Sequence, residues 1–223
     1  MTAAPSPQAT GRTAPTATAV TATVRRVTPQ DTARMRALRL EMLADAPLAF
    51  LETVADAAAR PHAEIAARVA SVAAGPRTAQ FVAEPHDAPA GRPTGDANRP
   101  IGEANRLGRA GRPVGEPGRL TGRAGRLVGH AGGTVAPHDP GLTVIYAVYV
   151  TPAWRGTGLL ADLIEAVAAW SRECGRPELM LEVVVGNDRA CRAYRRLGFV
   201  DTGVRVPHPK FPTLRELQMR RPA

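Results

Sequence analysis

The stretch TPAWRGTGLLADLI, residues 151–164, joins a run rich in valine and tyrosine to an apolar run with helical spacing. Leu159 and Leu163 fall on one face of that helix, and Asp162 suits the positive end of its dipole. The stretch therefore predicts a strand-to-helix turn around Arg-Gly-Thr-Gly. Taken alone, this turn fits two interpretations equally: a simple connection, or a loop whose glycines let backbone N–H groups approach a phosphate.

Two other phosphate-binding designs do not fit the chain. A Walker A loop needs a lysine after its second glycine, and the only lysine, Lys210, has no such context. The letters GTGLLA, residues 156–161, match a permissive dinucleotide-binding pattern, but about 60 residues follow and Glu182 falls in the middle of the next predicted strand. We therefore exclude the first design and set the second aside.

Strands and helices alternate along the chain. Hydrophobic periodicity and turn residues predict strands at 22–27, 78–85, 126–135, 141–152, 178–185, 199–206 and 213–220, and helices at 28–45, 61–74, 157–174 and 187–197. This alternation in the C-terminal half indicates an α/β domain.

Composition limits the classes of protein that fit. The formal net charge is +9, and every basic residue except Lys210 is arginine, whose planar fork suits phosphate and carboxylate groups. The two cysteines have no CxxC or histidine spacing, so no disulfide framework or metal site is expected. No secretory signal or membrane span is evident, and a reducing, cytoplasmic location is expected.

Two segments do not have the pattern of a packed core. Residues 1–21 are rich in alanine, threonine and proline and predict a flexible tail. Residues 86–125 are rich in glycine, arginine and proline. Repeats of about seven residues begin at positions 99, 106, 112 and 119 within this segment and at 126 directly after it. We interpret this segment as a flexible insertion within a single domain spanning 22–223. Its arginines could contact nucleic acid, but it has no aromatic residues for base stacking, so a solvated loop is favoured.

A second motif lies about 30 residues beyond Arg155: VVVGNDRACRAYRRLGF, residues 183–199. Asn187 and Tyr194 are seven residues apart, so two helical turns place them on one face about 10 Å apart. The two motifs together resemble the GCN5-related N-acetyltransferases (GNAT family), which transfer an acetyl group from acetyl-CoA to an amine. The pair is far more specific than either motif alone.

The resemblance implies a fold and a donor. The fold is α/β (α+β), with a mixed, mostly antiparallel central sheet of about six to seven strands flanked by helices, and the donor is acetyl-CoA. Backbone groups near Val148 and Val150 would pair with the pantetheine arm, and Asn187 would cap its helix and contact the cofactor. The loop residues that would hold the pyrophosphate are Arg155, Gly156, Thr157, Gly158, Leu159 and Leu160. Leu160 departs from the family pattern, which has glycine or alanine there; its side chain would either narrow the phosphate pocket or point into the core.

The resemblance also implies catalytic roles. Tyr194 is the candidate acid for the departing thiolate. Many relatives place a carboxylate on the strand before the loop, but LTVIYAVYV, residues 142–150, has none. Glu182 on the adjacent strand is the candidate base, acting through a water; Tyr146 and His130 are weaker candidates, and water without a fixed protein group is a further alternative.

The expected function is an N-acetyltransferase that acts by direct transfer on an amine of a small molecule or protein. The alternative is a CoA-binding sensor or degenerate acetyltransferase, which the missing carboxylate and Leu160 favour. An arginine-rich nucleic-acid binder is the third and least favoured hypothesis. The acceptor stays open, as does the choice between a monomer and a homodimer.

Overall fold

The computed structural model describes residues 20–87 and 125–223. In this part of the chain seven strands form one sheet, in the order β1-β2-β3-β4-β5-β7-β6. The strands are β1 (Val20–Arg26), β2 (Thr78–Asp87), β3 (Gly129–Ala136), β4 (Asp139–Val150), β5 (Glu178–Val184), β6 (Val200–Pro207) and β7 (Arg215–Pro222). Every neighbouring pair is antiparallel except β4 and β5, which are parallel. The predicted mixed, mostly antiparallel sheet is confirmed.

Five α-helices accompany the sheet in the described residues: α1 (Thr32–Asp45), α2 (Val54–Ala59), α3 (His62–Ala74), α4 (Leu159–Glu173) and α5 (Asp188–Arg196). Helix α2 was not predicted from the sequence, because six residues are too few to show a helical period. A local signal was present nevertheless. The side chain of Thr53 accepts a hydrogen bond from the backbone N–H of Asp56 at 3.1 Å, which is the start of a capping box.

Several boundaries differ from the predicted ones. β1 begins at Val20, two residues before the expected start at Ala22. The helix predicted from 157 begins at Leu159, because Gly158 has a left-handed φ of 98° and ends the loop. Residues 1–19, within the predicted tail, and 88–124, within the predicted insertion, lie outside the described part of the chain.

The sheet packs helices on both faces. Leu163 and Val167 of α4 lie in one buried cluster with Phe81 of β2, whereas Val82, the next residue of β2, lies in a second cluster with α1 and α3. Successive side chains of a strand point to opposite faces, so β2 separates two cores. The α4 core and the α1–α3 core therefore lie on opposite sides of the sheet.

The pairing of β4 with β5 is short. It covers only Leu142 with Glu178, Thr143 with Leu179, and Val144 with Met180. Beyond these pairs the strands diverge, so the edge of β4 from 145 to 150 has no partner strand on the β5 side. On its other side β4 has a β-bulge opposite β3, where Ala147 has a left-handed φ of 51°.

Candidate active site

A cleft of about 660 Å³ opens where β4 and β5 separate. Its walls are the unpaired edge of β4, the end of β5, helix α5 and the loop before α4. The segment after α1 and one residue of β7 complete it. All the predicted site residues except Thr157 and Leu159 line this cleft.

The loop before α4 has the backbone geometry of an anion site. Gly156 and Gly158 both have positive φ, 81° and 98°, and a β-carbon at either position would meet no atom within 4 Å. Conformation, rather than crowding by the protein, therefore requires glycine there. The N–H groups of residues 157–160 donate no hydrogen bond within the described residues, so four donors at the positive end of α4 are free for an anion.

Three side chains of this loop have different surroundings. The Thr157 hydroxyl donates to the carbonyl of Trp154 at 2.8 Å, and Thr157 does not line the cleft. Leu159 is buried in the α4 core. Leu160 lines the cleft and also packs against that core. Thr157 and Leu159 can thus serve a ligand only through their backbone N–H groups.

Arg155 lines the cleft with its guanidinium group already engaged. Its Nε donates to the carbonyl of Val150 at 3.0 Å, and its Nη2 donates to the carboxylate of Asp45. The group also lies 5.9 Å from the centre of the Tyr149 ring. Arg155 therefore ties the loop to the end of β4 and to α1, and part of its charge is compensated by Asp45.

Helix α5 brings the second motif to the cleft. The Oδ1 atom of Asn187 accepts the N–H of Ala190 at 3.2 Å and so caps the helix. The Tyr194 ring packs edge-on against Phe199, with centroids 5.8 Å apart, and its hydroxyl has no partner in the described residues. Burial, with a smaller contribution from Cys191, raises the pKa of Tyr194 above its usual range. This hydroxyl therefore keeps its proton at neutral pH and is free to donate it in a hydrogen bond.

Two strand carboxylates point to the same end of the cleft. Glu182 on β5 is exposed, and Glu216 on β7 has a side chain only 15% exposed. Burial raises the pKa of Glu216, and the nearby Glu182 raises it further against the opposing effect of His208. The Nε2 atom of His208 lies 4.0 Å from Glu216 Oε1.

Sequence reasoning missed Glu216. Its strand, RELQMRRP, shows the alternation expected of a sheet, but no motif marks this glutamate. Only the sheet order, in which β7 lies next to β5, brings Glu216 beside Glu182.

The two weaker base candidates have structural partners. The Tyr146 hydroxyl accepts a hydrogen bond from Gln80 Nε2 at 3.1 Å. Its ring lies over Gly132, where a β-carbon would come within 2.5 Å of a ring carbon. His130 is 2% exposed, and its Nδ1 donates to the carbonyl of Ala147 at 2.7 Å. Burial lowers the pKa of His130 to about 4, which makes it a weak base.

Two features are absent from residues 20–87 and 125–223. No helix there is both long and apolar enough to cross a membrane. No group of three or more histidine, cysteine, aspartate or glutamate side chains there is arranged to hold a metal ion.

Comparison with known proteins agrees with this geometry. A sequence model of the acetyltransferase (GNAT) family matches residues 96–199, which include both motifs. The aminoglycoside N(6')-acetyltransferase type 1 of Stenotrophomonas maltophilia is 41% identical over 54 residues, which are 24% of this chain and 35% of that protein. The chain thus matches only about a third of the length of this curated relative.

Solved structures share the fold at low identity. A GNAT superfamily phosphinothricin acetyltransferase from Sinorhizobium meliloti, solved with acetyl-CoA, aligns with a TM-score of 0.60 and 17% identity over 91% of this chain and 88% of that one. A GCN5-related N-acetyltransferase from Kribbella flavida aligns with a TM-score of 0.58 and 18% identity, over 91% and 98%. Residues 96–199, with both motifs, are thus similar to the GNAT acetyltransferases, and the chain shares the fold of these solved structures.

Proposed function

We propose that the protein is an N-acetyltransferase that moves the acetyl group of acetyl-CoA directly to a primary amine. The observation that carries this proposal is the row of four free N–H groups, from residue 157 to 160, at the start of α4 in the cleft between β4 and β5. A pyrophosphate is the anion that such a row accommodates, because each N–H bonds one oxygen and the helix dipole favours the negative charge.

The unpaired edge of β4 supports the next part of the proposal. With no β5 partner beyond Val144, the backbone near Val148 and Val150 has room for an extended ligand arm. A pantetheine arm carries two amides and can bond such an edge as an added strand would. Asn187 and Arg155 complete this cofactor side of the cleft.

Direct transfer needs a neutral amine, which then attacks the acetyl carbonyl carbon. We assign the role of base to the two carboxylates at the end of the cleft formed by β5 and β7. Glu182 and Glu216 act together there, through a water. The amine nitrogen forms the new C–N bond and gives up a proton to these carboxylates. The carbon–sulfur bond breaks with its electron pair on sulfur, and Tyr194 donates a hydrogen bond to the departing thiolate. No cysteine lines the cleft in the described residues, which favours transfer without an acetyl-cysteine intermediate.

A CoA-binding sensor without catalysis is the second candidate. Leu160 supports it, since its side chain occupies part of the cleft wall where the family has glycine or alanine. The β4 strand also has no carboxylate. Glu216 weakens this second candidate, because it supplies a buried carboxylate from another strand.

The test is release of CoA thiol from acetyl-CoA in the presence of a panel of primary amines, together with the melting temperature. We expect acetyl-CoA to raise the melting temperature and at least one amine to be acetylated. Tyr194→Phe should lower kcat about tenfold or more, because the hydrogen bond to the departing sulfur is lost, while the shift caused by acetyl-CoA is kept. Stabilisation by CoA with no transfer to any amine would favour the sensor, and no stabilisation at all would exclude both.

A further inference from the structure

A second cavity, of about 650 Å³, lies between the sheet and helices α1 to α3. Gln80 of β2, His130 of β3 and Ala147 of β4 form its floor, and the helices form its walls. Ala147 lines this cavity and the cleft alike, so the two spaces meet at the β4 bulge. The second cavity and the cleft are therefore neighbours at this part of β4.

Arginine dominates the helical walls. Arg36, Arg39, Arg60 and Arg68 line the cavity, against the single carboxylate of Glu64. Glu52, just outside the lining, accepts from Arg39 at 3.1 Å and also from Arg60. Four guanidinium groups against these two carboxylates leave an excess of positive charge.

Arg36 is the wall arginine with no carboxylate partner among the described residues. Its Nη2 donates to the backbone carbonyl of Ala58 at 2.6 Å, a neutral acceptor. Arg68 pairs with Glu64 at 3.0 Å but keeps 63% of its side chain exposed, so it can turn toward a ligand. A planar guanidinium group with free N–H donors suits a carboxylate, which accepts two parallel hydrogen bonds.

The floor of the second cavity also holds a hydrogen-bond acceptor, the Nε2 atom of His130. The carbonyl of Ala147 can only accept, so Nδ1 of His130 carries the proton and Nε2 of the neutral ring holds a lone pair. His130 is 2% exposed, and its Nε2 has no partner in the described residues. A buried polar atom without a partner is costly, and a ligand N–H or O–H would satisfy it.

We propose that this second cavity binds the amine acceptor, and that the acceptor is an amine which also carries a carboxylate. The carboxylate lies against Arg36 and Arg68, and an N–H or O–H of the acceptor donates to His130 Nε2. This proposal rests on the proposed acetyl transfer and adds the class of its acceptor: an amino acid or a similar amino carboxylate. Polyamines and other polycationic amines are disfavoured, because the arginine wall repels them.

The experiment compares matched acceptors in the thiol-release assay: amino acids, the corresponding amino acid amides, amines with a phosphate in place of the carboxylate, and a polyamine. We expect kcat/KM for the best amino acid to exceed that for its amide and for the polyamine by about tenfold or more. Arg36→Gln and Arg68→Gln should each raise KM for the amino acid severalfold with little change in kcat. Arg172→Gln is the control, since Arg172 lies in an exposed pair with Glu165 on α4, and it should change neither constant.

The outcomes distinguish a wrong acceptor class from a wrong proposal of acetyl transfer. If amides or polyamines are acetylated with the same kcat/KM as amino acids, and both arginine variants behave as wild type, the proposed acceptor class is wrong. The proposal of an acetyltransferase is then unaffected. A preference for the phosphate-bearing amines would overturn the assignment of a carboxylate. Failure of acetyl-CoA to stabilise the protein would instead overturn the proposed function itself.

Discussion

Glu216 is a carboxylate whose surroundings favour its neutral form, because it is largely buried and lies near Glu182. A base with a raised pKa has greater affinity for the proton of an ammonium group than an exposed glutamate has. The same burial costs stability at neutral pH, where the folded state must hold a charge that it disfavours. Such a cost is expected of a residue that serves chemistry rather than folding.

We expect the kcat/KM of the wild-type protein to fall as the pH falls through the raised pKa of Glu216, because the carboxylate must be ionised to accept a proton. Glu216→Gln should lower kcat/KM at neutral pH about a hundredfold and remove this dependence. The pH profile of both proteins, measured with the same amine, tests the assignment.

The stability of the same variant gives a separate check. A carboxyl whose folded pKa is raised lowers stability as the pH rises through that pKa, so Glu216→Gln should melt no lower than the wild type at pH 7. If Glu216→Gln kept full activity and showed the same fall of kcat/KM at low pH as the wild type, Glu216 would have no role in the mechanism.

At the scale of elements, an ion network around the buried Asp31 joins β1, β2 and the start of α1. Arg25 donates to both carboxylate oxygens of Asp31, at 2.7 and 2.9 Å, and to Glu84 of β2 at 2.9 Å. Arg34 of α1 bonds the same two carboxylates. The network fixes the start of α1, and hence helps to position Asp45 and the two cavity arginines on α1, Arg36 and Arg39.

Asp31→Asn should lower the free energy of unfolding by about 3 kcal/mol at pH 7, because one partner of a buried ion pair is lost. Burial alone would raise the pKa of Asp31, but hydrogen bonds from Arg25 and Thr28 outweigh it and hold the pKa well below its usual range. Asp31 therefore contributes all of its stabilisation at pH values above its ordinary pKa. This contribution is lost as the pH falls through the lowered pKa of the folded state, so the free energies of unfolding of the wild type and of Asp31→Asn should converge in strong acid.

Urea unfolding across pH measures this difference. Asp201→Asn is the matched control, since Asp201 pairs with Arg205 on an exposed strand, and it should lower the free energy of unfolding clearly less than Asp31→Asn does. Equal effects of the two substitutions would show that the network contributes nothing beyond a surface pair.

The type of most elements could be predicted from the sequence, because period and turn residues are local. The start of α4 after Gly158 and the presence of the short helix α2 could not be predicted as readily. The first depends on a left-handed backbone angle, and the second is shorter than two helical turns.

At the scale of the whole molecule, the cleft lies where residues of the two sequence motifs come together. Two motifs about 30 residues apart mark its two walls. The second cavity and Glu216 carry no such local mark, since the β4 bulge and the β5–β7 pairing bring their residues together from distant parts of the chain. Pairing between strands that are distant in sequence determines these features, and the hydrophobic periodicity of single elements does not reveal that pairing.

We predict that residues 88–124 are dispensable for cofactor binding. β2 and β3 pair directly, from Thr78 with Thr134 to Ala83 with Gly129, and the described cleft residues lie in other segments. Replacing 88–124 by a short glycine-serine linker should leave the stabilisation by acetyl-CoA within about 1 °C of that of the full chain. Loss of that stabilisation in a folded variant would place part of the cofactor site in the replaced segment.

The central claim is that the loop before α4 holds a pyrophosphate. Calorimetric titration with acetyl-CoA and with S-acetyl-pantetheine, which has the arm and the thioester but no pyrophosphate, tests it most directly. Two or more charge-assisted hydrogen bonds to the free N–H groups predict that acetyl-CoA binds about a hundredfold or more tightly than acetyl-pantetheine. Gly158→Val, which forces a side chain into a left-handed backbone position, should abolish most of that difference. Equal affinity of the wild-type protein for the two compounds would contradict the account.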